Sequence, residues 1–284
     1  MRLQSLIAGA ALAVVAATVS GCQSLVFAVA NRGLEAPTAT VVYAGDRGLS
    51  LDIYRPAAAT SATPVVVFFY GGSWQTGQRE DYRFVGRCLA GEGILALVAD
   101  YRLWPRAGFP GFVEDGAQAV AWARQHAGEY GGDPRRLFVA GHSAGAQVAA
   151  LIGTDARWLA PQGMQPRDLA GVIGLSGPYD FRIGPDLAPI FGPPAQWPLA
   201  QAVGQVDGDE PPFLLVHGDA DTTVGVAQSR ELARRLSAQH EPVSLVILPG
   251  GGHLATITAL YDPSRNPEVL ASIRRFVDAP RAAQ

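Results

Sequence analysis

Residues Pro64 to Tyr70 read Pro-Val-Val-Val-Phe-Phe-Tyr, an unbroken run of β-forming apolar side chains. A run this short and continuous has no polar face to turn to water, so it predicts a strand buried on both sides. The pattern returns at Ile94–Ala99, Leu137–Ala140, Val172–Leu175, Phe213–Val216 and Val243–Leu248. Helical spacing lies between these runs, most plainly over Phe112–Ala127 and Ala227–Gln239, and again at Pro267–Val277. Thr40–Tyr43 and Leu49–Tyr54, joined by Gly45-Asp46-Arg47-Gly48, read as a preceding β pair. Strand then helix, repeated, predicts an α/β fold: a mostly parallel sheet of eight strands covered by helices on both faces. Phe181–Pro212 breaks the rhythm. It is rich in Pro, Gly and Trp, has no period, and is too long for an ordinary connection, so a lid or pocket wall is expected there.

Composition narrows the chemistry this scaffold can carry. All 22 basic residues are arginine, and without lysine there is no Schiff base, pyridoxal phosphate anchor or Walker lysine. A formal net charge of −3 argues against a nucleic-acid partner. With 48% hydrophobic and 17% charged residues, the chain can bury a large core and is not disordered. No His or Cys cluster has metal-ligand spacing, and no cofactor is expected. Glu114 and Asp115 are adjacent carboxylates, the raw material of a metal or glycosidase site. Acids in a helix's first turn ordinarily just favour its dipole, and that is the reading adopted.

Chemistry is expected at strand ends. Gly141-His142-Ser143-Ala144-Gly145 follows the run Leu137–Ala140 directly and precedes the helix-like Gln147–Ile152. A Gly-x-Ser-x-Gly in that context is a strand-to-helix turn that strains the serine backbone and projects its hydroxyl above the sheet. A serine hydroxyl needs a base, and the base needs an orienting acid. His253, after Pro249-Gly250-Gly251-Gly252 and the last strand, is the candidate base. Asp219 and Asp221, in His217-Gly218-Asp219-Ala220-Asp221 after the strand Phe213–Val216, are both candidate acids. His217 reads as structural, and His142 as a shaper of the pocket. Oxyanion stabilisation requires backbone N–H donors. The Ala144 amide is one, and the loop Tyr70-Gly71-Gly72-Ser73-Trp74 after the strand Pro64–Phe69 is placed to supply the other. Trp74, Trp104, Trp158 and Trp197 either line an aromatic-friendly pocket or pack the core.

Together these segments resemble the α/β-hydrolase superfamily, specifically carboxylesterases near the hormone-sensitive-lipase and arylformamidase groups. Tyr70–Trp74 resembles their His-Gly-Gly-x-Trp loop. Ala99-Asp100-Tyr101-Arg102-Leu103 and Gly131-Gly132-Asp133-Pro134 resemble the segments that precede their elbow, and the likeness covers about Val41 to Val277. The resemblance implies the α/β-hydrolase fold, Ser143, Asp221 and His253 as a triad with Asp219 bracing the loop, and Gly72, Ser73 and Ala144 as oxyanion donors. It further implies a small-molecule ester substrate. Tyr70 departs from the family's histidine, leaving a tyrosine hydroxyl to make that residue's bracing bond. The rivals are an arylformamidase-type amidase, an esterase of feruloyl or acetyl groups on polysaccharides, and a catalytically inactive surface-anchored binding protein.

The N-terminus reads as an export signal. Arg2 is followed by the uncharged apolar stretch Leu6–Val19, shorter than the roughly 20 residues needed to span hydrocarbon. Val19-Ser20-Gly21-Cys22 resembles a bacterial lipobox; the alternative is an ordinary cleavable signal with an incidental cysteine. The lipobox resemblance implies a signal peptide over 1–21, acylation of Cys22, a tether over 22–37 and a catalytic domain over 38–284. With Gln23 rather than Asp after the cysteine, it implies an outer-membrane lipoprotein facing the periplasm, touching membrane only through its anchor. Cys88 is then left without a disulfide partner and reads as a small buried hydrophobe in the helical Phe84–Ala90 segment.

Overall fold

The computed structural model describes residues 26–280; the expected signal peptide and Cys22 lie outside them. Eight strands form one sheet: β1 Ala39–Ala44, β2 Leu49–Tyr54, β3 Thr63–Phe69, β4 Leu95–Ala99, β5 Gly132–His142, β6 Gly171–Leu175, β7 Phe213–Gly218 and β8 Val243–Leu248. Their order across the sheet is β1-β2-β4-β3-β5-β6-β7-β8. The β1–β2 and β2–β4 pairings are antiparallel and all others parallel. Every residue of β3, β4, β6 and β7 is buried, as continuous apolar runs require.

Two strands differ from expectation. β5 starts at Gly132 rather than Leu137, because Thr63 pairs with Gly132 across a register shift that the polar Asp133–Arg136 stretch does not announce. β8 is only partly buried although its run is apolar. It ends the sheet, with β7 alone beside it.

Five longer helices cover the sheet: α1 Arg83–Gly91, α2 Gly111–His126, α3 Ala144–Thr154, α4 Ala227–Ala238 and α5 Pro267–Asp278. Strand alternation assigns them to faces. Phe69 reaches Gly116 of α2. Phe68, one residue back and on the opposite face, meets Tyr82 at the start of α1. α3 is buried along its whole length, which fits its near-total lack of polar side chains. Its glycines permit the contact: a Cβ on Gly153 would stand 2.4 Å from Val172.

Asp115 corrects the dipole reading. Its fully buried carboxylate accepts from the Arg102 backbone N–H, Nε and Nη2, and from Arg47 Nη1. The expected wall, Phe181–Pro212, holds a helical turn at Ala188–Phe191 and 3-10 turns at Pro194–Ala200 and Ala202–Gln205. It is tied down by Gln201, whose amide donates to the Phe181 carbonyl and accepts from the Phe181 N–H. Cys88 is half-buried on α1, and burial together with nearby Glu92 pushes its thiol up to about 12, so it stays protonated.

The described part of the expected tether, residues 26–37, lies against the domain. Phe27 packs on Tyr82 and Phe84. Asn31 donates to the Glu80 and Asp81 carbonyls and accepts from the Phe84 N–H. Among the described residues no helix is long and apolar enough to cross a membrane, and no group of three His, Cys, Asp or Glu side chains is arranged to hold a metal.

Candidate active site

Parallel registry sets the carboxyl ends of the central strands level. Phe69 pairs with Gly141, His142 with Leu175, and Gly218 with Leu248. The loops leaving β3, β5, β7 and β8 therefore converge at one end of the sheet, where open α/β sheets bind ligands.

Ser143 follows β5 at φ 53°, ψ −122°, a region only a strained turn imposes on a serine. The strain is held by its N–H to the Leu175 carbonyl, 2.9 Å, and by its own carbonyl, which accepts from Ala146 and Gln147. The flanking glycines are required by contact. A Cβ on Gly141 would stand 2.2 Å from the Gly145 carbonyl oxygen, and one on Gly145 2.1 Å from that of Phe69.

His253, in the loop after β8, receives the Ser143 hydroxyl at Nε2 across 2.9 Å and gives its Nδ1–H to Asp221 Oδ2 at 2.8 Å. Of the two candidate acids, Asp221 meets the histidine. Asp219 accepts from the Gly250 N–H at 2.7 Å and braces the loop that carries His253. Burial alone would raise the Asp221 carboxyl. The hydrogen bonds from His217 and His253 and the Val224 N–H outweigh it, holding the pKa below the ordinary 3.8 and the group ionised.

His217 is more closely tied to Asp221 than its place in the turn suggests. Its Nδ1 accepts from the Ser229 hydroxyl at 2.7 Å, so its Nε2 carries the proton, facing the Val224 carbonyl at 2.8 Å and Asp221 Oδ2 at 3.3 Å. His142 is fully buried and gives its Nε2–H to the His253 carbonyl at 3.2 Å. Burial first, and the neighbouring His253 second, drop its pKa from 6.5 to about 3, so it is a neutral strut and no base.

In the loop after β3, Gly72 has φ 132°, and Ser73 and Trp74 lie in the left-handed region at 53° and 60°. A Cβ on Gly72 would stand 2.0 Å from the Thr76 carbonyl oxygen. Gly71 lies against the elbow, its Cβ position 3.0 Å from that of Ser143. The Gly72 and Ser73 amides have no acceptor among the described residues. Ala144 opens α3, where a helix leaves its first N–H groups unpaired. Trp74 turns inward. Its ring packs on Phe112, Phe181 and Phe191, and its indole N–H donates to Gln147 Oε1 at 3.1 Å. Gln147, which sequence reasoning passed over, also donates to the Ala200 carbonyl, so α3 ties this loop to the Phe181–Pro212 segment. The one available signal was a single amide in an otherwise apolar helix. Trp158 is buried, whereas Trp104 and Trp197 are partly exposed.

Known proteins are similar to this chain. The BD-FAE family model matches residues 51–236, and the prolyl oligopeptidase family model matches 195–280. Esterase LipC of Mycobacterium tuberculosis is 33% identical over 237 residues, covering 75% of this chain and 58% of the relative. The isoprenylcysteine alpha-carbonyl methylesterase ICME of Arabidopsis thaliana is 27% identical over 256 residues, 80% of this chain and 58% of the relative. The chain thus spans less than two thirds of the length of these relatives. Among solved structures, the apo form of Thermogutta terrifontis esterase 2 superposes with a TM-score of 0.75 at 26% identity, covering 88% of this chain and 99% of that one. The butyrate-bound form of that esterase gives 0.70 at 25% identity, covering 83% and 94%. With the family match spanning most of the sheet and the loops that carry Ser143 and Asp221, the chain belongs to the BD-FAE family and has the α/β-hydrolase fold.

Proposed function

We propose that the chain is a serine carboxylester hydrolase acting on small acyl or aryl esters, with Ser143, His253 and Asp221 as its triad. One observation carries the reading: the continuous hydrogen-bonded line from Asp221 through His253 to the strained Ser143 hydroxyl. As Ser143 Oγ adds to the ester carbonyl, its proton passes to His253 Nε2 and the carbonyl electron pair moves onto oxygen. The amides of Gly72, Ser73 and Ala144 face that oxyanion, and each well-placed donor supplies about 3–4 kcal/mol of transition-state stabilisation. Collapse expels the alcohol oxygen, which takes the proton back from His253 and leaves an acyl-Ser143. Water then repeats the sequence and frees the acid. Ionised Asp221 stabilises the imidazolium formed in both halves. The likeness to LipC and ICME supports ester substrates, and the butyrate bound by Thermogutta terrifontis esterase 2 supports a short acyl group. The lipobox-like residues ending at Cys22 support export and a lipid tether in the bacterial envelope.

The test is kinetic. Purified protein is assayed on p-nitrophenyl acetate, butyrate and octanoate, beside feruloyl and N-formyl aryl substrates. The acetyl and butyryl esters should give the highest kcat/KM, and Ser143→Ala should lower kcat by about 10⁴-fold or more. Wild type no faster than Ser143→Ala on any of these would overturn the reading.

A further inference from the structure

The peptide joining Tyr70 to Gly71 is held at both ends by buried phenols. Tyr101 donates its hydroxyl to the Tyr70 carbonyl at 2.7 Å, and the Gly71 N–H donates to the Tyr82 hydroxyl at 3.2 Å. Both phenols are nearly sealed from solvent, at 2% and 1% exposure, so water cannot replace either bond without opening the core. Both rings also stack on Tyr70, with centroids 4.7 Å and 5.7 Å away.

Two peptides further on, the Gly72–Ser73 unit is held as firmly. The Gly72 carbonyl accepts from the Gln75 and Thr76 N–H groups, both at 3.0 Å, and from the Thr76 hydroxyl at 3.2 Å. The intervening unit, Gly71–Gly72, carries the N–H proposed to meet the oxyanion. Peptide units are rigid planes, so two fixed neighbours leave the plane between them little freedom. The hydroxyl of Tyr70 itself points away from this peptide, to Asp100 Oδ1 at 3.4 Å and the Tyr101 backbone.

We infer that Tyr82 and Tyr101 are positioning residues of the oxyanion hole: their hydroxyls grip the Tyr70–Gly71 peptide and so aim the Gly72 amide. The inference rests on the esterase reading above. The bracing comes from two residues distant in sequence, which reach the loop through space from the start of α1 and from the segment after β4.

Tyr82→Phe and Tyr101→Phe remove one hydroxyl each and keep the rings. The comparison is Tyr43→Phe, which removes a buried hydroxyl that bonds the Asp100 carbonyl rather than a peptide of the loop. Each protein is assayed for kcat and KM on p-nitrophenyl butyrate, for its inhibition constant with an alkyl trifluoromethyl ketone, and for its melting temperature. The ketone adds to Ser143 and places a tetrahedral oxyanion in the hole. Removing a whole oxyanion donor costs about 10²–10³-fold, so a loosened one should lower kcat by about tenfold or more with KM within about twofold. Ketone affinity should fall by the same factor. Tyr43→Phe should keep both values within about twofold of wild type whatever its melting temperature.

Folded Tyr82→Phe and Tyr101→Phe with wild-type kcat and ketone affinity would overturn the inference. So would an equal loss in Tyr43→Phe. If one variant does not fold, the other carries the same expectation alone. Wild type without Ser143-dependent turnover would defeat the esterase reading and this inference together. Active wild type with unaffected phenylalanine variants would defeat only the inference.

Discussion

Ser143, His142 and His253 show how much one turn of chain asks of single side chains. Ser143 takes a backbone strain that His142, one residue earlier, helps to make useful by giving its Nε2–H to the His253 carbonyl. His142 works only while neutral, and that has a measurable consequence for stability. Its folded pKa of about 3 lies below the unfolded 6.5, so between those values the unfolded chain holds a proton that the folded one does not. Stability therefore falls as pH drops from 6.5 toward 3. At 1.36 kcal/mol per unit, the His142 share between pH 6.5 and 4.5 is about 2–3 kcal/mol. His142→Gln, which retains an N–H for the His253 carbonyl, should flatten the urea-unfolding free energy over that interval by about this amount. An unchanged slope would mean His142 is not the titrating group. Asp221 acts lower on the scale. Its depressed pKa contributes stability that is present above pH 3.8 and lost as the pH falls further.

At the scale of elements, the sheet delivers the site and the glycines allow the delivery. Gly145 lets α3 start against the end of β3, and nothing larger fits. Gly145→Ala should destabilise the fold by roughly 3 kcal/mol or more, since its Cβ would meet backbone oxygens of Phe69 and Tyr70 that cannot swing aside. A melting temperature within a few degrees of wild type would contradict this account of the elbow. The strands were legible because the stretch of a parallel strand buried on both faces must be apolar, as Val65–Phe69 of β3 and Phe213–Val216 of β7 are. Ser143, Asp221 and His253 were legible as candidates because each lies in a loop just beyond such a run. The start of β5 was not, because Asp133–Arg136 is polar and its pairing is decided by Thr63 across the sheet. The grip of Tyr82 and Tyr101 on the loop was hidden for a similar reason: their partners lie 11 and 31 residues away, and no local pattern links a phenol to a distant peptide. The interior of the Phe181–Pro212 segment was also opaque. Its turns are held by tertiary bonds such as Gln147 to the Ala200 carbonyl.

The whole molecule presents a lysine-free, mildly acidic surface, so attraction to anionic lipid would not bring it to a bilayer and an acyl anchor at Cys22 would have to. Expressed in a bacterium with radiolabelled palmitate, the wild-type chain should incorporate label and Cys22→Ala should not; label that persists in the variant would rule out that anchor. The described chain already lies against α1 from Phe27 onward, so a tether at Cys22 would leave only a short reach between domain and membrane. The central claim is that the molecule converges on one activated serine. It is tested most directly by intact-protein mass spectrometry after brief exposure to a fluorophosphonate, followed by peptide mapping. One adduct on Ser143, absent in Ser143→Ala and slowed by about 10²-fold or more in His253→Ala, is the predicted result. An adduct on another residue, or none on folded wild-type protein, would contradict it.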